Sequence, residues 1–316
     1  MPARSFDVVI LGGGNAGMGV TVATREAGLK VAMIEPDLLG GTCPNRGWMP
    51  KKVLVAAAHA LDEIERAKAH HIAVGKPRLD WAALIDREKG DDIGHEVRRL
   101  DRATGGLRVV YQEGGSERTV EAERVVNGAG SVANIDGLDL VAGKVGAERG
   151  RIAVDAHLRS TSNPAVYACG DAVAETAQLS PIATYEGPIV GRNIVDGAKH
   201  TPDYTGIPAC VFTVPALASV GLTQAAAKEQ GIDLRLVVND MRAWLSGRTY
   251  AEAAAWAKVL IDKRTDRIIG AHLVGHAGEE LIHIFALAMK HDITAGDLGD
   301  FVFGFPTFSA DIKSML

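Results

Sequence analysis

The stretch FDVVILGGGNAG, residues Phe6–Gly17, decides the fold of this chain. Its first half, Phe6–Leu11, is a short run rich in β-branched side chains, which predicts a strand. The residues after it, Met18–Gly28, predict a helix that ends at a glycine. Between the two lies G-x-G-x-x-G, so the stretch predicts the strand, glycine turn and helix of a nucleotide-binding α/β unit.

The three spaced glycines each suit a different need of a bound dinucleotide. Gly12 allows the tight turn, Gly14 lets the backbone approach a pyrophosphate, and Gly17 lets the helix pack close to the strand. A second predicted strand, Lys30–Ile34, ends at Glu35, whose carboxylate can accept hydrogen bonds from ribose hydroxyls. The spacing does not distinguish FAD from NAD, and a glycine-rich structural turn stays open as the alternative.

Length and composition are those of an ordinary globular chain. Its 316 residues are 47% hydrophobic and 23% charged, which predicts about two domains with a substantial core. The 36 glycines suit the many tight loops of an α/β fold. The formal net charge of −5 gives no signal for polyanion binding, so we expect no nucleic-acid partner.

The cysteine spacing and the length of the apolar runs predict the cellular compartment of the chain. Cys43, Cys169 and Cys210 stand in no CxxC or CxxxxC spacing, which argues against a disulfide framework or a zinc site and favours a cytoplasmic location. No apolar run approaches about 18 residues and no apolar leader is seen, so we expect no membrane span. Glu280 and His283 have the E-x-x-H spacing of half a carboxylate-bridged metal site, but such a site needs the motif twice, so we expect no metal.

A second stretch, GGTCPNRGWMPKK at Gly40–Lys52, carries a resemblance. It is similar to GGTCxNxGCxPxK, the active-site loop of the flavin-dependent disulfide reductases, the family of glutathione, dihydrolipoamide and mercuric reductases. Cys43 stands where the family has its first redox cysteine, but Trp48 stands where the second should be. A disulfide needs two sulfurs whose β-carbons come within about 4 Å, and an indole supplies none. The resemblance therefore comes without the redox disulfide.

The resemblance continues through the middle of the chain. Residues 125–140 look like the family's A-T-G-R-x-P-N segment, and Leu158–Asp171 resembles T-S-x-P-x-I-Y-A-x-G-D. By that resemblance Asp171 holds the ribityl chain of FAD, and a role as a helix N-cap is compatible with it. Leu179–Gly187 resembles a helix start whose backbone faces the flavin. The resemblance and the glycine motif together assign these FAD-binding residues: Gly12, Gly14, Asn15, Ala16, Gly17, Glu35, Gly41, Thr42, Lys52, Gly130, Gly170, Asp171, Leu179, Ser180 and Ala183.

The fold that the resemblance implies is an α/β FAD-binding Rossmann-like domain with a C-terminal α+β dimerisation domain. We place the first at residues 1–200, built from two sequence segments, and the second at residues 205–316, with a linker within Lys199–Pro208. In the second domain Thr223 is expected to cap a short helix that Gly231 ends. The expected assembly is a homodimer.

Periodicity predicts the remaining elements. A long helix that Pro50 starts is expected over Lys51–His70, with further helices over about Trp81–Leu100 and Glu279–His291. Strands are expected over Leu107–Tyr111, Arg118–Val126, Trp256–Asp262 and Arg267–Val274, the first two joined by a glycine turn at 114–115.

Three features of the family are missing. Only one G-x-G-x-x-G is present, so no NAD(P)-binding domain, a unit of roughly 100–150 residues, separates the two FAD segments. Trp48 replaces the second cysteine. The closing H-P-T-x-x-E, a histidine acid/base oriented by a glutamate, reads FPTFSA at Phe305–Ala310, and Asp311 comes one position too late. A chain without its hydride-donor domain needs neither the disulfide nor the base.

The candidate catalytic residues are Lys52, Cys43 and Trp48. By the resemblance Lys52 lies near flavin N5, where an ammonium stabilises developing negative charge, and the alternative is a lysine that reaches solvent. Cys43 keeps the position of the thiolate that contacts the flavin, so a reactive sulfur is one interpretation and an inert cysteine the other. The aromatic replacements either line one apolar pocket at the dimer interface or fill vacated space; they are Trp48, Phe303, Phe305 and Phe308.

The sequence thus predicts an FAD-dependent oxidoreductase without disulfide reductase activity. It would oxidise a small substrate, or exchange electrons with a partner or oxygen. The alternative is a non-catalytic flavin-binding dimer that acts as a scaffold or sensor, or that derives from a reductase by domain deletion. A third interpretation, loss of FAD altogether, predicts a protein without flavin absorbance.

Overall fold

The computed structural model of this chain describes residues 5–35, 38–89, 102–103, 106–113, 116–122, 133–174 and 176–316. For Arg46, Trp48 and residues 87–89, 102–103, 106–113 and 116–122, the description covers the backbone. Three predicted elements lie outside the described residues in whole or in part: the glycine turn at 114–115, the expected helix beyond residue 89, and the expected strand beyond residue 122.

The strands and helices are numbered in chain order. The strands are β1 (Val8–Leu11), β2 (Val31–Ile34), β3 (Arg102–Ala103), β4 (Gly106–Glu113), β5 (Ser116–Ala122), β6 (Ala147–Glu148), β7 (Arg151–Ile152), β8 (Ala209–Val211), β9 (Leu217–Gly221), β10 (Leu234–Asp240), β11 (Trp256–Asp262) and β12 (Ile268–Val274). The α-helices are α1 (Asn15–Glu26), α2 (Thr42–Arg46), α3 (Trp48–Arg66), α4 (Trp81–Lys89), α5 (Ser180–Asp196), α6 (Gln224–Glu229), α7 (Leu245–Thr249), α8 (Gly278–Lys290), α9 (Ala295–Asp300) and α10 (Ile312–Met315). Short 3₁₀ helices are Ala67–His70, Gly170–Ala172 and Phe308–Asp311.

Most of these elements lie where the sequence predicts them. β4 pairs with β5 antiparallel, and the hydroxyl of Thr223 accepts a hydrogen bond from the backbone N–H of Ala226 at 3.1 Å, at the start of α6. The start of the long helix needs correction, because α3 begins at Trp48 rather than at Pro50. Proline is tolerated in the first turn of a helix, where its missing N–H has no intrahelical acceptor in any case.

The chain divides into two compact units. One comprises Met1–Arg46 and Asp91–Thr201, and the other comprises Gly47–Gly90 and Pro202–Leu316. The helices α3 and α4 thus group with the C-terminal residues by their contacts, whereas the sequence places them in the FAD-binding domain. The domain boundaries at residues 200 and 205 stay a prediction.

In the first unit, β1 and β2 form a parallel pair, with Val8–Leu11 in register with Val31–Ile34, and α1 connects them. The helix α1 begins at Asn15, three residues before the predicted Met18. Gly14 has the extended backbone of a helix N-cap, with φ −75° and ψ −174°. The turn therefore delivers the first helical N–H groups directly beside the spaced glycines.

The helices α1 and α5 pack through glycines. A Cβ atom added to Gly187 would lie 2.4 Å from the carbonyl oxygen of Ala16, and one added to Gly191 would lie 2.4 Å from Cβ of Ala23. Real Cβ atoms do not approach other atoms so closely, so these positions require glycine. The close approach fixes the start of α5 relative to the start of α1.

The second unit is built on an antiparallel sheet with the strand order β10-β11-β12-β9-β8. The helix α8 packs on β12 and β9 through Leu281, Phe285 and Ala288, as its apolar periodicity predicts. From the C-terminal helix α10, Ile312 and Met315 enter the same core and are fully buried. Within the described ranges, no helix combines the length and apolar character needed to cross a membrane.

Candidate functional site

The glycine turn after β1 holds two glycines that the local geometry requires. Gly12 has φ +100°, a conformation that side chains rarely adopt, and its N–H donates to the carbonyl of Ile34 at 2.9 Å. A Cβ atom on Gly17 would lie 2.1 Å from the carbonyl oxygen of Gly12. The first glycine is therefore needed for the bend, and the other for the contact of α1 with the turn.

Neither the backbone conformation of Gly14 nor the packing of the protein around it requires a glycine. Its φ of −75° is open to any residue, and the nearest atom to an added Cβ, the Cα of Gly41, is 4.0 Å away. The space beside it is therefore open, at the N-terminus of a twelve-residue helix. Such a space suits a pyrophosphate that approaches the backbone, so this part of the chain fits the expected dinucleotide.

The predicted loop at Gly40 lies against this turn, backbone to backbone. Gly40 forms a parallel bridge with Gly14, and its N–H donates to the carbonyl of Gly13 at 2.9 Å. Gly41 has φ +65°, and an added Cβ would lie 3.0 Å from Cα of Gly14. The predicted site residues Gly14 and Gly41 are thus brought together. Thr42 follows as the exposed first residue of α2.

Asn45 holds the loop and was not among the predicted site residues. Its Nδ2 donates to the carbonyl of Gly41 at 2.9 Å and to that of Leu39 at 3.1 Å. The signal was present, since the loop pattern of the family contains an asparagine at this place. Its role is to shape the loop beside the glycine turn.

Glu35, at the end of β2, is anchored on the same turn. Its Oε2 accepts a hydrogen bond from the N–H of Gly13 at 2.7 Å. The hydrogen bond fixes the carboxylate beside the G-x-G-x-x-G turn, where the ribose of a dinucleotide is expected.

The N-termini of α1 and α5 meet at this place. Nδ2 of Asn15, the first residue of α1, donates to Oγ of Ser180, the first residue of α5, at 2.7 Å. The N-cap residues, Gly14 and Leu179, provide no side-chain cap to either helix. The start of α1 thus directs uncapped N–H groups toward this region, and α5 adds the N–H of Ser180, since Pro181 has no N–H and that of Ile182 donates to the carbonyl of Leu179. The arrangement favours anions and electron-rich ring oxygens.

The segment that carries Asp171 lies against both helices. Gly170 has φ +68°, its N–H donates to the buried Glu186 carboxylate at 2.6 Å, and an added Cβ would lie 3.3 Å from Cβ of both Ala16 and Ala183. The five predicted residues Ala16, Gly170, Asp171, Ser180 and Ala183 thus belong to one neighbourhood.

Asp171 itself is exposed and caps no helix here. The N-cap of the 3₁₀ helix Gly170–Ala172 is Cys169, and that of α5 is Leu179. The interpretation of Asp171 as a helix N-cap is therefore wrong. Its exposed carboxylate is available to hydroxyl groups of a ligand, as the resemblance implies.

The three cysteines are thiols rather than disulfide sulfurs. Burial, and then the charge of Glu186, raise the pKa of the Cys169 thiol to about 12, so this thiol stays protonated and unreactive. Burial, and then Glu279 and Glu280, raise the pKa of Cys210, against an opposing effect of Lys52. Cys43 is half-buried in α2.

Lys52 lies in the second unit and packs against an aromatic ring. Its Nζ is 3.8 Å from the centroid of the Phe212 ring, and Nζ of Lys51 is 4.7 Å from the same centroid. Phe212 follows β8 and is half-buried, and sequence reasoning gave no signal that it would receive the lysine. The Lys52 side chain is exposed, as the solvent alternative expects, but its ammonium is also held by a cation–π contact.

The other predicted site residues are placed as follows. Gly130 and the side chain of Trp48 lie outside the described residues. Phe303 and Phe308 are half-buried and pack on the core of the second unit, which favours space filling for these two, whereas Phe305 is 75% exposed. In the part of the chain that the structure describes, no group of three or more His, Cys, Asp or Glu residues is arranged to hold a metal ion.

Two sequence profiles and a solved structure are similar to this chain. The sequence profile described as pyridine nucleotide-disulphide oxidoreductase matches residues 6–101 and 92–187, and the profile of the dimerisation domain of the same family matches residues 207–316. LpdA from Mycobacterium tuberculosis has a similar fold, with a TM-score of 0.73 over 97% of this chain and 98% of that chain, at 18% sequence identity.

Two relatives illustrate the range of the match. An uncharacterized 19.7 kDa protein in a mercuric resistance operon of Staphylococcus aureus is 36% identical over 180 residues, which are 57% of this chain and the whole of the relative. A dihydrolipoyl dehydrogenase of Chlorobaculum tepidum is 28% identical over 308 residues, which are 97% of this chain and 59% of the relative. The chain thus spans about three fifths of the length of that enzyme. It belongs to the pyridine nucleotide-disulphide oxidoreductases, the FAD-binding flavoprotein disulfide reductase family, and it lacks the family's NAD(P) domain and redox disulfide.

Proposed function

We propose that this chain is an FAD-dependent oxidoreductase that exchanges electrons with a small substrate, a partner protein or oxygen, and that it does not reduce disulfides with NAD(P)H. The observation that carries the proposal is Trp48, an indole at the position of the family's second redox sulfur. Thiol–disulfide exchange at this loop needs a second thiolate, which tryptophan cannot supply. The absence of an NAD(P) domain supports the same conclusion, because the hydride donor has no domain to bind it.

Apart from Lys52, the residues that would hold FAD are those of the first unit. Its pyrophosphate would lie beside Gly14 at the start of α1, its ribose at Glu35, its ribityl chain at Asp171, and its ring at the start of α5 near Ser180. FAD, when bound, supplies the capacity to accept and donate two electrons. The chain contributes the anchoring carboxylates and the uncapped helix N–H groups.

Two further residues would shape the reaction. On the family resemblance we place the Lys52 ammonium beside the flavin ring, where a fixed positive charge stabilises negative charge that develops in the reaction. We place the Cys43 thiol in the same surroundings, where its reactivity would depend on the fraction present as thiolate. The Phe212 ring supports this role of Lys52 by limiting where the ammonium can lie.

We also infer a homodimer formed by the C-terminal domain. The match of residues 207–316 to the dimerisation domain supports it, as does a run of exposed apolar side chains. Phe301 is 58% exposed, Val302 85% and Phe305 75%. Apolar side chains so close together in the sequence and so exposed are typical of a surface that another chain covers.

A non-catalytic flavin-binding dimer is the second candidate. It is favoured by the aromatic replacements at Trp48 and Phe305, which remove a redox sulfur and a proton-transferring histidine without adding a nucleophile or a titratable group at either position. The two candidates agree on bound FAD and differ on turnover. The relative in a mercuric resistance operon makes Hg²⁺ one substrate to include in a search for turnover.

An anaerobic absorbance experiment tests the proposal. The purified protein is expected to show flavin absorbance that dithionite bleaches and that a stoichiometric amount of NADPH leaves unchanged over the same period. A screen of small organic reductants is then expected to find one that bleaches it. Rapid stoichiometric bleaching by NADPH would overturn the proposal, tight FAD without turnover in the whole screen would favour the non-catalytic dimer, and a colourless protein would favour loss of FAD.

A further inference from the structure

A buried histidine in the second unit has a carboxylate at each ring nitrogen. His276 lies in the loop between β12 and α8 and is 1% exposed. Its Nδ1 is 2.7 Å from Oε2 of Glu252, and its Nε2 is 2.9 Å from Oδ2 of Asp311. The carboxylates are also largely buried, with 11% and 16% of their side chains exposed. We call these three residues the His276 cluster.

The carboxyl groups decide how the His276 ring can bond. An ionised carboxylate only accepts hydrogen bonds, so with both carboxyl groups ionised each ring nitrogen carries a proton and donates to the carboxylate that it faces. An unpaired charge at this depth would be strongly unfavourable, but here each of the three charged groups has an opposite charge within hydrogen-bond distance.

The surroundings hold the ring in one orientation. The backbone N–H of His276 donates to Oε1 of Glu252 at 2.8 Å, so this carboxylate binds both the backbone and the ring. The ring of Phe308 meets the imidazole edge-on, with centroids 4.7 Å apart, and Trp244 does the same at 6.3 Å. The backbone at His276 has φ +56°, which non-glycine residues seldom adopt. The contacts of the cluster maintain this conformation.

We propose that His276 is a positioning residue that fixes the C-terminal segment Phe305–Leu316 through its ion pair with Asp311. This segment is where the family resemblance places a histidine acid/base and its glutamate, and both are absent here. Asp311, which the sequence sets aside as one position too late for that glutamate, has a different partner in His276. The cluster thus anchors the segment from within the same chain and leaves Phe305 exposed. This inference does not depend on the proposed redox function.

Hydrogen–deuterium exchange on the FAD-loaded protein tests the anchoring. In His276→Gln we expect amides of residues 308–316 to exchange about tenfold or more faster than in the wild type, because breaking a buried pair leaves an uncompensated charge. The matched control is His283→Gln, the same change at an exposed position of α8, which should leave the exchange of this segment unchanged. Asp311→Asn keeps the size and one acceptor oxygen and should give a smaller acceleration in the same amides.

A spectroscopic measurement separates this role from mere packing. Nitrogen-15 NMR of the imidazole should show both ring nitrogens of His276 protonated in the wild type, a signature that space filling does not produce. A neutral ring with a single N–H, or unchanged exchange in both His276→Gln and Asp311→Asn, would overturn the proposal. If His276→Gln does not fold, the exchange of residues 308–316 in Asp311→Asn alone tests the proposal. Flavin absorbance is read on every sample, and because its predicted ligands other than Lys52 lie in the first unit, a failure of the flavin proposal is seen separately.

Discussion

At the scale of the residue, two glycines of one motif have different roles, and alanine substitutions distinguish an effect on FAD affinity from an effect on stability. Gly14→Ala places a methyl group into open space at an unstrained backbone, so the folded protein should keep its stability. The same methyl group occupies the space that a pyrophosphate would need, so FAD affinity should fall about tenfold to a hundredfold. Gly17→Ala should lower both FAD affinity and stability, because its Cβ would lie 2.1 Å from a backbone oxygen.

The two measurements for these variants are FAD titration and denaturant unfolding of the apoprotein. Gly75→Ala is the matched control, since no atom lies within 4 Å of an added Cβ there, and it should change neither quantity. If Gly14→Ala binds FAD as tightly as the wild type, the pyrophosphate does not lie beside this residue.

A second residue-scale prediction concerns the ring that holds Lys52. Phe212→Leu removes a cation–π contact worth about 0.5–1 kcal/mol at an exposed site. Protons on the carbon next to Nζ of Lys52 should then lose the upfield ring-current shift that a nearby aromatic face causes. NMR of the protein with labelled lysine measures this chemical shift, and the Phe212→Tyr variant should retain it. An unshifted signal in the wild type would show that the ring does not hold the ammonium.

Sequence motifs predicted the backbone elements beside the candidate site. The glycine turn and Glu35 follow from spacing and the start of α5 from the family resemblance, because a turn and two helix starts allow few geometries. The Phe212 contact and the His276 cluster were not predictable. They join residues far apart in the chain, and pairing of side chains at such separations follows from the packed fold rather than from local pattern.

At the scale of the element, the packing of α1 on α5 determines whether the two helix starts stay together. In Gly187→Ala, alanine gains roughly 1 kcal/mol of helix propensity over glycine. The added Cβ would lie 2.4 Å from the Ala16 carbonyl oxygen, and such overpacking costs about 1–3 kcal/mol. We expect net destabilisation and lower FAD content, measured by denaturant unfolding and by absorbance.

The control for this variant is a glycine whose replacement by alanine should not destabilise the protein. Gly299→Ala, in α9, meets no atom within 4 Å and should leave the protein equally stable or more stable, because only the gain in propensity remains. Equal stabilisation by both substitutions would show that α1 and α5 do not pack as closely as described.

The boundaries of elements were harder to predict than their type. Proline suggested a helix start at Pro50, but α3 begins at Trp48, because the first helical turn tolerates a residue without an N–H. Apolar periodicity placed α8 within one residue at each end, from Gly278 to Lys290. A strongly periodic helix fixes its own limits, whereas a helix start next to a loop depends on contacts that the pattern does not contain.

At the scale of the whole molecule, the losses in this chain are mutually consistent. The NAD(P) domain, the second redox cysteine and the C-terminal histidine all serve the transfer of electrons from a nicotinamide to a disulfide. The turn, the loop at Gly40 and the start of α5, which we propose hold FAD, are joined by the Gly14–Gly40 bridge and the Asn15–Ser180 hydrogen bond. What remains is a flavin-binding unit and a dimerisation domain, so assembly is the molecular property most open to a direct test.

The dimer prediction can be tested with two valines of matched exposure. Val302 is 85% exposed within the dimerisation domain, and Val141 is 89% exposed outside it. Val302→Glu would place a charge in an apolar interface and should weaken the dimer about tenfold or more, whereas Val141→Glu should not. Sedimentation velocity over a range of concentrations measures the dissociation constant, and Phe305→Glu should act like Val302→Glu. A monomeric wild type, or equal effects of the two valine substitutions, would contradict the assignment of this surface, because a charge weakens association only where the partner chain covers it.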